Sequence, residues 1–163
     1  MAPTGKIIAV AAVAVAALLV IYTIYQSSSG PGSVTTGVPS GFSVNGRSYT
    51  FTFVATTPEE RAKGLMNTSV TNATTELFAF PSAGEWQFWM YDTNTSLDMI
   101  WVNAAGNSGS VVYLATSTQP CYVSSECAVY TPSAPANYVI EAKAGFVFSN
   151  GIEVGTAIAF ATG

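Results

Sequence analysis

A single uncharged, apolar stretch constrains this chain more than any other feature of its sequence. Nineteen consecutive residues, Ile7 to Tyr25, include no charged side chain. As a helix that rises 1.5 Å per residue, they would extend about 28 Å, close to the roughly 30 Å hydrocarbon core of a bilayer. A helix that packs against a soluble core shows a polar face, and this stretch has none. The sequence therefore predicts one transmembrane helix over residues 7–25.

The residues that flank this stretch predict its orientation. Lys6 is the nearest charge, and it lies on the N-terminal side. Because positively charged flanks remain in the cytoplasm, we expect residues 1–6 to be cytoplasmic and the rest of the chain to lie outside the cell. Tyr22 and Tyr25 occupy the outer end, where amphipathic rings favour the membrane interface. The expected location is the cell membrane, with the lipid bilayer as a partner.

Two other interpretations of the apolar stretch stay open. A cleaved signal peptide has an apolar region of about 7–15 residues and a small-residue cleavage site. Here the apolar run is longer and ends in the bulky residues Ile-Tyr-Thr-Ile-Tyr. A pilin-type helix that packs in a filament core after processing is also compatible, because the spacing of Ala9, Ala12 and Ala16 permits close helix packing.

The composition changes twice after the apolar stretch. Residues 26–41 are dominated by Gly, Ser, Thr and Pro and have no apolar period, which predicts a linker. From Phe42 the chain shows short segments of alternating polar and apolar residues, which predict strands. We therefore place an extracytoplasmic domain at residues 42–163.

Short strands and frequent turns predict a mainly β fold. Residues 47–55 alternate, with Tyr49, Phe51 and Phe53 on one face. Further strands are predicted at residues 76–80, 86–91, 97–103, 110–116, 138–143 and 156–161, with a hairpin turn at residues 104–107. We expect a compact, barrel-like β domain with one or two short helices.

Local signals place two short helices in this domain. Thr57 can cap a helix that begins at Pro58, and Glu60 stands three residues after the cap, as in a capping box. This helix is expected over residues 58–63, with Gly64 ending it. A single helical turn is expected over residues 145–151.

An ordered set of motifs covers about a hundred residues of the domain. The motifs are E-R-x-x-G-L-M at residues 60–66, L-F-x-F-P at 77–81, F-W-M at 88–90, L-D-M-I-W-V at 97–102, Pro-Cys at 120–121, Y-V-I-E at 138–141, A-G-F at 144–146 and N-G-I-E-V-G at 150–155. This set resembles the DUF192 family, an uncharacterised group in archaea and bacteria. The resemblance implies a β-rich fold behind a signal peptide or anchor, and it implies no activity.

The chain departs from the family pattern at three places. Tyr91-Asp92 stands where the family usually has Lys-Asn, Ser96 replaces a Pro, and Thr156 replaces an Asp. If the family's Lys or Asp contacts a ligand, this member has lost that contact.

The composition excludes several kinds of chemistry. Histidine, the commonest metal ligand and general base, is absent, and we predict no metal and no cofactor. Cys121 and Cys127 lie in a Pro- and Ser-rich stretch and predict one local disulfide in an oxidising compartment. Nucleic-acid binding needs clustered basic residues, whereas the five here are scattered. They are Lys6, Arg47, Arg61, Lys63 and Lys143.

Candidate binding residues are found among the carboxylates and aromatics. Asp98 and Glu141 each interrupt an apolar strand, and we expect both to be buried and paired, with Arg61 as the partner. Alternatively, the two act as an acid and base pair on a glycoside. In the predicted strand at 86–91, Trp89 and Tyr91 share the face that is free for binding. No catalytic residue is predicted.

Three N-x-S/T sequons begin at Asn67, Asn72 and Asn94, all in predicted polar loops. We treat these as glycosylation candidates. Our leading hypothesis is a membrane-anchored, extracytoplasmic, non-enzymatic module that acts by binding or assembly, as a structural or accessory subunit of a cell-envelope complex. Its partners would be other envelope proteins or copies of itself. The alternatives are a pilin-like subunit of a surface filament, and a carbohydrate-binding or carbohydrate-active protein that uses Asp98 and Glu141.

Overall fold

The computed structural model of this protein describes residues 37–162, so the predicted transmembrane helix and most of the predicted linker lie outside the described residues. Within residues 37–162, no helix has the length and apolarity needed to cross a membrane. These residues form a mainly β structure, a sheet curled into a half-barrel, with two short α-helices. The mainly β prediction is therefore confirmed for the described domain.

The sheet has eight strands in the order β2-β1-β10-β7-β6-β9-β4-β3, and β5 and β8 form a separate two-stranded sheet. In chain order the elements are β1 Pro39–Val44, β2 Arg47–Thr50, β3 Phe53–Ala55, α1 Pro58–Lys63, β4 Thr75–Gly84, β5 Phe88–Trp89, β6 Leu97–Ala105, β7 Ser108–Thr118, β8 Val129–Tyr130, β9 Ala136–Lys143, α2 Phe146–Ser149 and β10 Ala157–Thr162. All neighbours are antiparallel except β3 and β4, which are parallel.

The two ends of the large sheet are joined through a short segment of chain. Strands β2 and β3 lie at opposite ends of the strand order, yet only Phe51 and Thr52 separate them in sequence. The Phe51 N–H donates to the carbonyl of Ser40 at 3.0 Å, and the Thr52 N–H donates to the carbonyl of Thr75 at 2.8 Å. Because one segment bonds to both ends, the sheet must curl strongly.

Each face of the curled sheet carries its own apolar core, because successive side chains of a strand point to opposite faces. The first core includes Phe42, Leu77, Ile100, Val102, Ile140, Ile158 and Phe160, and α2 adds Phe146 and Val147. The second core includes Phe78, Met90, Leu97, Met99, Trp101 and Val139, and Leu65 from the loop after α1 covers it. Every strand near the centre of the sheet is therefore buried on both sides.

Helix α1 has the predicted boundaries and caps. The Glu60 N–H donates to the Thr57 hydroxyl at 3.2 Å, and the Thr57 N–H donates to a Glu60 carboxylate oxygen at 2.9 Å, which completes the capping box. Gly64 follows the helix with a φ of 47°, a conformation that favours glycine. The second predicted helix is α2, a single turn inside the predicted 145–151 segment.

The structure corrects the predicted segments in four places. The predicted linker extends too far, because residues 39–41 already belong to β1 and pair with β10. The predicted strand 47–55 is two strands, because its first half pairs with β1 and its second with β4. The predicted strand 86–91 contracts to Phe88–Trp89. Strand β8 was not predicted; it pairs with β5 and follows a disulfide between Cys121 and Cys127, as expected for these cysteines.

Candidate functional site

A cleft of about 440 Å³ opens above the second core. One side is α1 and the loop that follows it, and the other side is the segment of residues 86–93. The Asn67 N–H of the loop donates to the carbonyl of Asp92 at 2.8 Å, so the two sides are tied together at one end. The Trp101 indole N–H, from the core below, donates to the carbonyl of Trp86 at 2.9 Å and fixes the start of the second side.

Aromatic rings form the walls of the cleft. Phe80 and Trp86 stack with ring centroids 4.3 Å apart and planes within 8° of parallel. Phe88 meets Phe78 edge-on at 4.8 Å. Trp89 stands at the mouth with 43% of its surface exposed. Such rings offer a ligand flat apolar faces, which favour aliphatic groups, aromatic groups and cations.

Gly64 lets the loop after α1 approach these rings closely. A Cβ atom at this position would lie 3.0 Å from Cζ of Phe78, and the backbone already has a positive φ. The close approach and the positive φ therefore both favour glycine here.

Two buried carboxyl groups lie beneath the cleft. Glu76 of β4 and Glu141 of β9 are directly opposite each other in the antiparallel pairing, so their Cβ atoms are about 4.5–5.5 Å apart on one face of the sheet. Glu141 lines the cleft and is 4% exposed, whereas Glu76 is 5% exposed and lines a smaller cavity that shares Lys63 and Gly64 with the cleft. The Oε2 atom of Glu76 is buried without a hydrogen-bond partner.

Burial shifts the protonation of both groups. It raises the pKa of Glu141 well above its usual value, and the neighbouring Glu76 raises this pKa further. Burial likewise raises the pKa of Glu76 to about 7; Lys63 opposes this shift and Glu60 adds to it. Two like charges this close in a poorly hydrated site disfavour each other, so the pair retains protons near neutral pH.

Two cations from α1 stand near the cleft. Arg61 donates to the carbonyl of Thr56 and, at 3.0 Å, to the carbonyl of Ala79. Its guanidinium lies 5.0 Å above the ring of Phe80, so it holds α1 against β4. Lys63 also lines the cleft, and its charge acts on Glu76.

The predicted pairing of Asp98 with Arg61 is wrong. Asp98 accepts three backbone N–H groups: one oxygen accepts from Ser117 at 2.8 Å, and the other accepts from Gly145 at 3.0 Å and Val147 at 2.9 Å. These bonds connect the ends of β6, β7 and β9 to α2. Asp98 is therefore buried and paired as expected, but its donors are backbone groups.

The alternative role of Asp98 and Glu141 as a catalytic pair is also wrong. Asp98 pairs with Ala142 and shares the face of the first core, whereas Glu141 pairs with Met99 and shares the face of the second core. The two carboxyl groups therefore point to opposite sides of the sheet and cannot act on one substrate bond.

The structure brings three of the five predicted binding residues together. Arg61, Trp89 and Glu141 all line the cleft. Tyr91 is outside the cleft lining, although its ring is 5.4 Å from that of Trp89, and Asp98 belongs to the other face. Glu76 is not among the predicted binding residues, although it begins the predicted strand 76–80 and directly precedes the apolar run Leu77 to Phe80.

Asn67, Asn72 and Asn94 are all exposed and lie outside the helices and strands. Their side chains are therefore accessible in this conformation. Glycosylation at these residues stays a prediction.

Comparison with known proteins identifies the family of the chain. The family model of DUF192, described as "Uncharacterized ACR", matches residues 43–160. The chain belongs to the DUF192 family. The comparison with curated proteins found no significant match.

Two solved structures resemble this DUF192 protein. One is from Sinorhizobium meliloti 1021 and is described as a "putative transcription regulator"; it has 23% sequence identity and a TM-score of 0.64, covering 77% of this chain and 96% of that chain. The other is a protein of unknown function from Novosphingobium aromaticivorans DSM 12444, with 26% identity, a TM-score of 0.60, and coverage of 79% and 89%. The first supports the fold alone.

Four of the motifs that resemble the family meet at the cleft. The E-R-x-x-G-L-M motif supplies Arg61 and Gly64, the L-F-x-F-P motif supplies Phe80, the F-W-M motif supplies Trp89, and the Y-V-I-E motif supplies Glu141. These motifs are distant in sequence, and the fold places them around one opening. The cleft is therefore our candidate functional site.

Proposed function

We propose that this DUF192 protein is a membrane-anchored, extracytoplasmic, non-enzymatic module that binds a small ligand in the aromatic cleft above Glu76 and Glu141. The observation that carries this proposal is a cleft of about 440 Å³ with stacked aromatic walls, next to a cavity lined by Glu76, whose Oε2 atom is buried without a partner. Ligand sites are concave and mostly apolar, with a few polar groups that orient the ligand. As an accessory subunit, the protein would make the bound ligand accessible to other envelope proteins, or would bind those proteins directly.

A matched pair of aromatic substitutions tests cleft binding. Trp89 lines the cleft, whereas Tyr122 is 62% exposed on the disulfide loop outside it. Full-length protein in lipid nanodiscs is titrated by calorimetry with small aromatic amines, alcohols, acids and glycosides, using empty nanodiscs as the blank. We expect at least one class to bind, with about tenfold weaker affinity in Trp89→Ala because a stacking wall is lost, and unchanged affinity in Tyr122→Ala.

The outcome that contradicts the proposal is equally specific. If no class binds, or if Trp89→Ala and Tyr122→Ala behave alike, the cleft is not the binding site.

The predicted anchor is tested separately on cells that express the full chain. We expect the protein to remain with membranes after alkaline carbonate extraction and to be digested by protease added outside the cells, because residues 7–25 match the thickness of the bilayer. A freely soluble cytosolic protein with Cys121 and Cys127 reduced would contradict the anchor and the location together.

The pilin-like alternative makes a different prediction for the mature chain. A processed pilin lacks its leader, whereas a membrane anchor keeps residues near Met1. Mass spectrometry of the mature N-terminus therefore distinguishes a filament subunit from an anchored module.

A second candidate function is carbohydrate binding or hydrolysis in the same cleft. Stacked Phe80 and Trp86 favour it, because flat rings pack well against sugars, and Glu76 rather than Asp98 is the carboxyl group beside Glu141. Hydrolysis of an aryl glycoside that stops in Glu141→Gln would support this candidate. We do not extend the regulator description of the Sinorhizobium meliloti protein to this chain, because its five basic residues are scattered.

A further inference from the structure

The buried carboxyl pair below the cleft, Glu76 and Glu141, differs from the buried Asp98 in its hydrogen bonding. Glu76 and Glu141 face each other on the adjacent strands β4 and β9 and are both more than nine-tenths buried. Asp98, the other buried acid named above, receives three backbone N–H groups, whereas Glu76 Oε2 receives none. Leaving a buried polar atom unpaired lowers stability, so a donor that reached this oxygen would be bound favourably.

Three elements place charged side chains in or around the pair of Glu76 and Glu141. Helix α1 contributes Glu60, Arg61 and Lys63, β4 contributes Glu76, and β9 contributes Glu141. The segment of residues 86–93 lines the cleft with Gln87, Thr93 and aromatic residues, none of them charged. Arg61 is bonded to two carbonyls, and Glu60, itself an acid, is bonded to the helix cap. Lys63 is the α1 cation whose charge acts on Glu76, and its effect is too small to offset burial.

We propose that the cleft binds an organic ammonium group, a protonated amine on an apolar or aromatic body, with its nitrogen directed at Glu76 and Glu141. This inference rests on the proposed function of the cleft as a ligand site. An ammonium nitrogen brings three N–H donors and one positive charge to a carboxyl pair that cannot ionise fully without a nearby cation. The aromatic walls add cation–π attraction and cover the apolar part of the ligand.

Other ligand classes fit the same geometry less well. A neutral alcohol donates one hydrogen bond and brings no positive charge that would favour an ionised carboxylate. A carboxylate ligand adds a further negative charge beside a buried pair. A calcium ion takes six to eight oxygen ligands, and within residues 37–162 no group of three or more His, Cys, Asp or Glu side chains is placed to hold a metal.

Three matched probes test the proposal on the full-length protein in lipid nanodiscs at pH 7.5. They are 2-phenylethylamine, 2-phenylethanol and 3-phenylpropionate, which share an aromatic ring and differ in the charge of the head group. We expect calorimetry to show that the amine binds at least about tenfold more tightly than the alcohol or the acid, because a charge-assisted hydrogen bond is roughly twice as strong as a neutral one.

Isosteric variants locate the head group. Glu141→Gln and Glu76→Gln should each weaken amine binding by about tenfold or more while leaving binding of the alcohol unchanged, because they remove charge but little volume. Glu85→Gln is the control: Glu85 is exposed and outside the cleft lining, so its replacement should change neither affinity.

Proton release gives a readout that needs no variant. Binding of a cation favours the ionised carboxylates and lowers their pKa values, so amine binding at pH 6.5 should release protons. Calorimetry of the unmodified protein in two buffers of different ionisation enthalpy measures this release. The alcohol should release none.

Each result decides between the inference and the function on which it rests. Tighter binding of the alcohol, of an aryl glycoside or of calcium, or amine binding without proton release, overturns the ammonium proposal but leaves a ligand-binding cleft. Absence of binding for every probe, in both unmodified protein and variants, overturns the proposed function as well.

Discussion

Replacing Asp98 with alanine should lower the free energy of unfolding by about 4 kcal/mol, the largest loss of stability that we expect from one polar side chain in the domain. The carboxylate is 1% exposed and accepts N–H groups from Ser117, Gly145 and Val147. Each donor left without an acceptor costs about 1–3 kcal/mol where it is buried. Ser117 and Gly145 are exposed, so water replaces part of their bonds and the total stays below the sum.

Urea unfolding of the full-length protein, followed by tryptophan fluorescence, measures this change. Glu85→Ala removes a carboxylate from an exposed position and should stay within about 0.5 kcal/mol of the unmodified protein. The loss of stability in Asp98→Asn should lie between those of Asp98→Ala and Glu85→Ala, because one side-chain oxygen remains as an acceptor while the amide N–H₂ group faces an N–H donor. Hydrogen exchange in the Asp98→Ala variant should increase first at residues 145–149, since α2 loses two of its anchoring bonds. A loss under 1 kcal/mol for Asp98→Ala would contradict this role.

Local signals predicted the parts of the fold that local interactions determine. Helix α1 begins and ends as expected because Thr57, Pro58, Glu60 and Gly64 define its caps without help from distant residues. The strands at the centre of the sheet were also recognisable, because they are long and rich in apolar residues. Strand β1 was assigned in part to the linker, because Ser40 and Gly41 carry no apolar signal and the strand exists through pairing with β10.

The candidate site was only partly predictable for the same reason. A carboxylate in an apolar strand indicated burial at Asp98 and at Glu141, but not which face of the sheet each group occupies. That face depends on strand register, which distant pairing sets. Glu76 and Glu141 become neighbours only when β4 pairs with β9, and Arg61 turns to the carbonyl of Ala79 rather than to an acid. The sequence thus indicates Arg61, Trp89 and Glu141 as members of the site, but neither Glu76 nor the partners that each residue has in the fold.

The protonation of this pair makes stability depend on pH in an unusual direction. Glu76 has an ordinary pKa of 4.5 in the unfolded chain and a pKa of about 7 in the folded protein, so the folded state binds more protons between these values. The stability that Glu76 contributes is therefore fully present below about pH 4.5 and is lost as the pH rises to about 7. The pKa of Glu141 is raised in the same direction. Glu60, whose pKa is lowered, has the opposite effect at lower pH.

We expect the free energy of unfolding to fall by roughly 3 kcal/mol between pH 4.5 and pH 8 from Glu76 alone, since each unit of pKa difference corresponds to about 1.4 kcal/mol. Glu76→Gln should remove this share of the dependence and be more stable than the unmodified protein at pH 8, because an uncharged amide replaces a buried carboxylate. Urea unfolding at several pH values measures both effects, with Glu85→Gln as the control that keeps the original profile. Stability that rises with pH across this window, or a Glu76→Gln profile identical to the original, would show that the pair is hydrated and charged. In that case amine binding at pH 6.5 should release no protons, because the carboxyl groups would already be ionised.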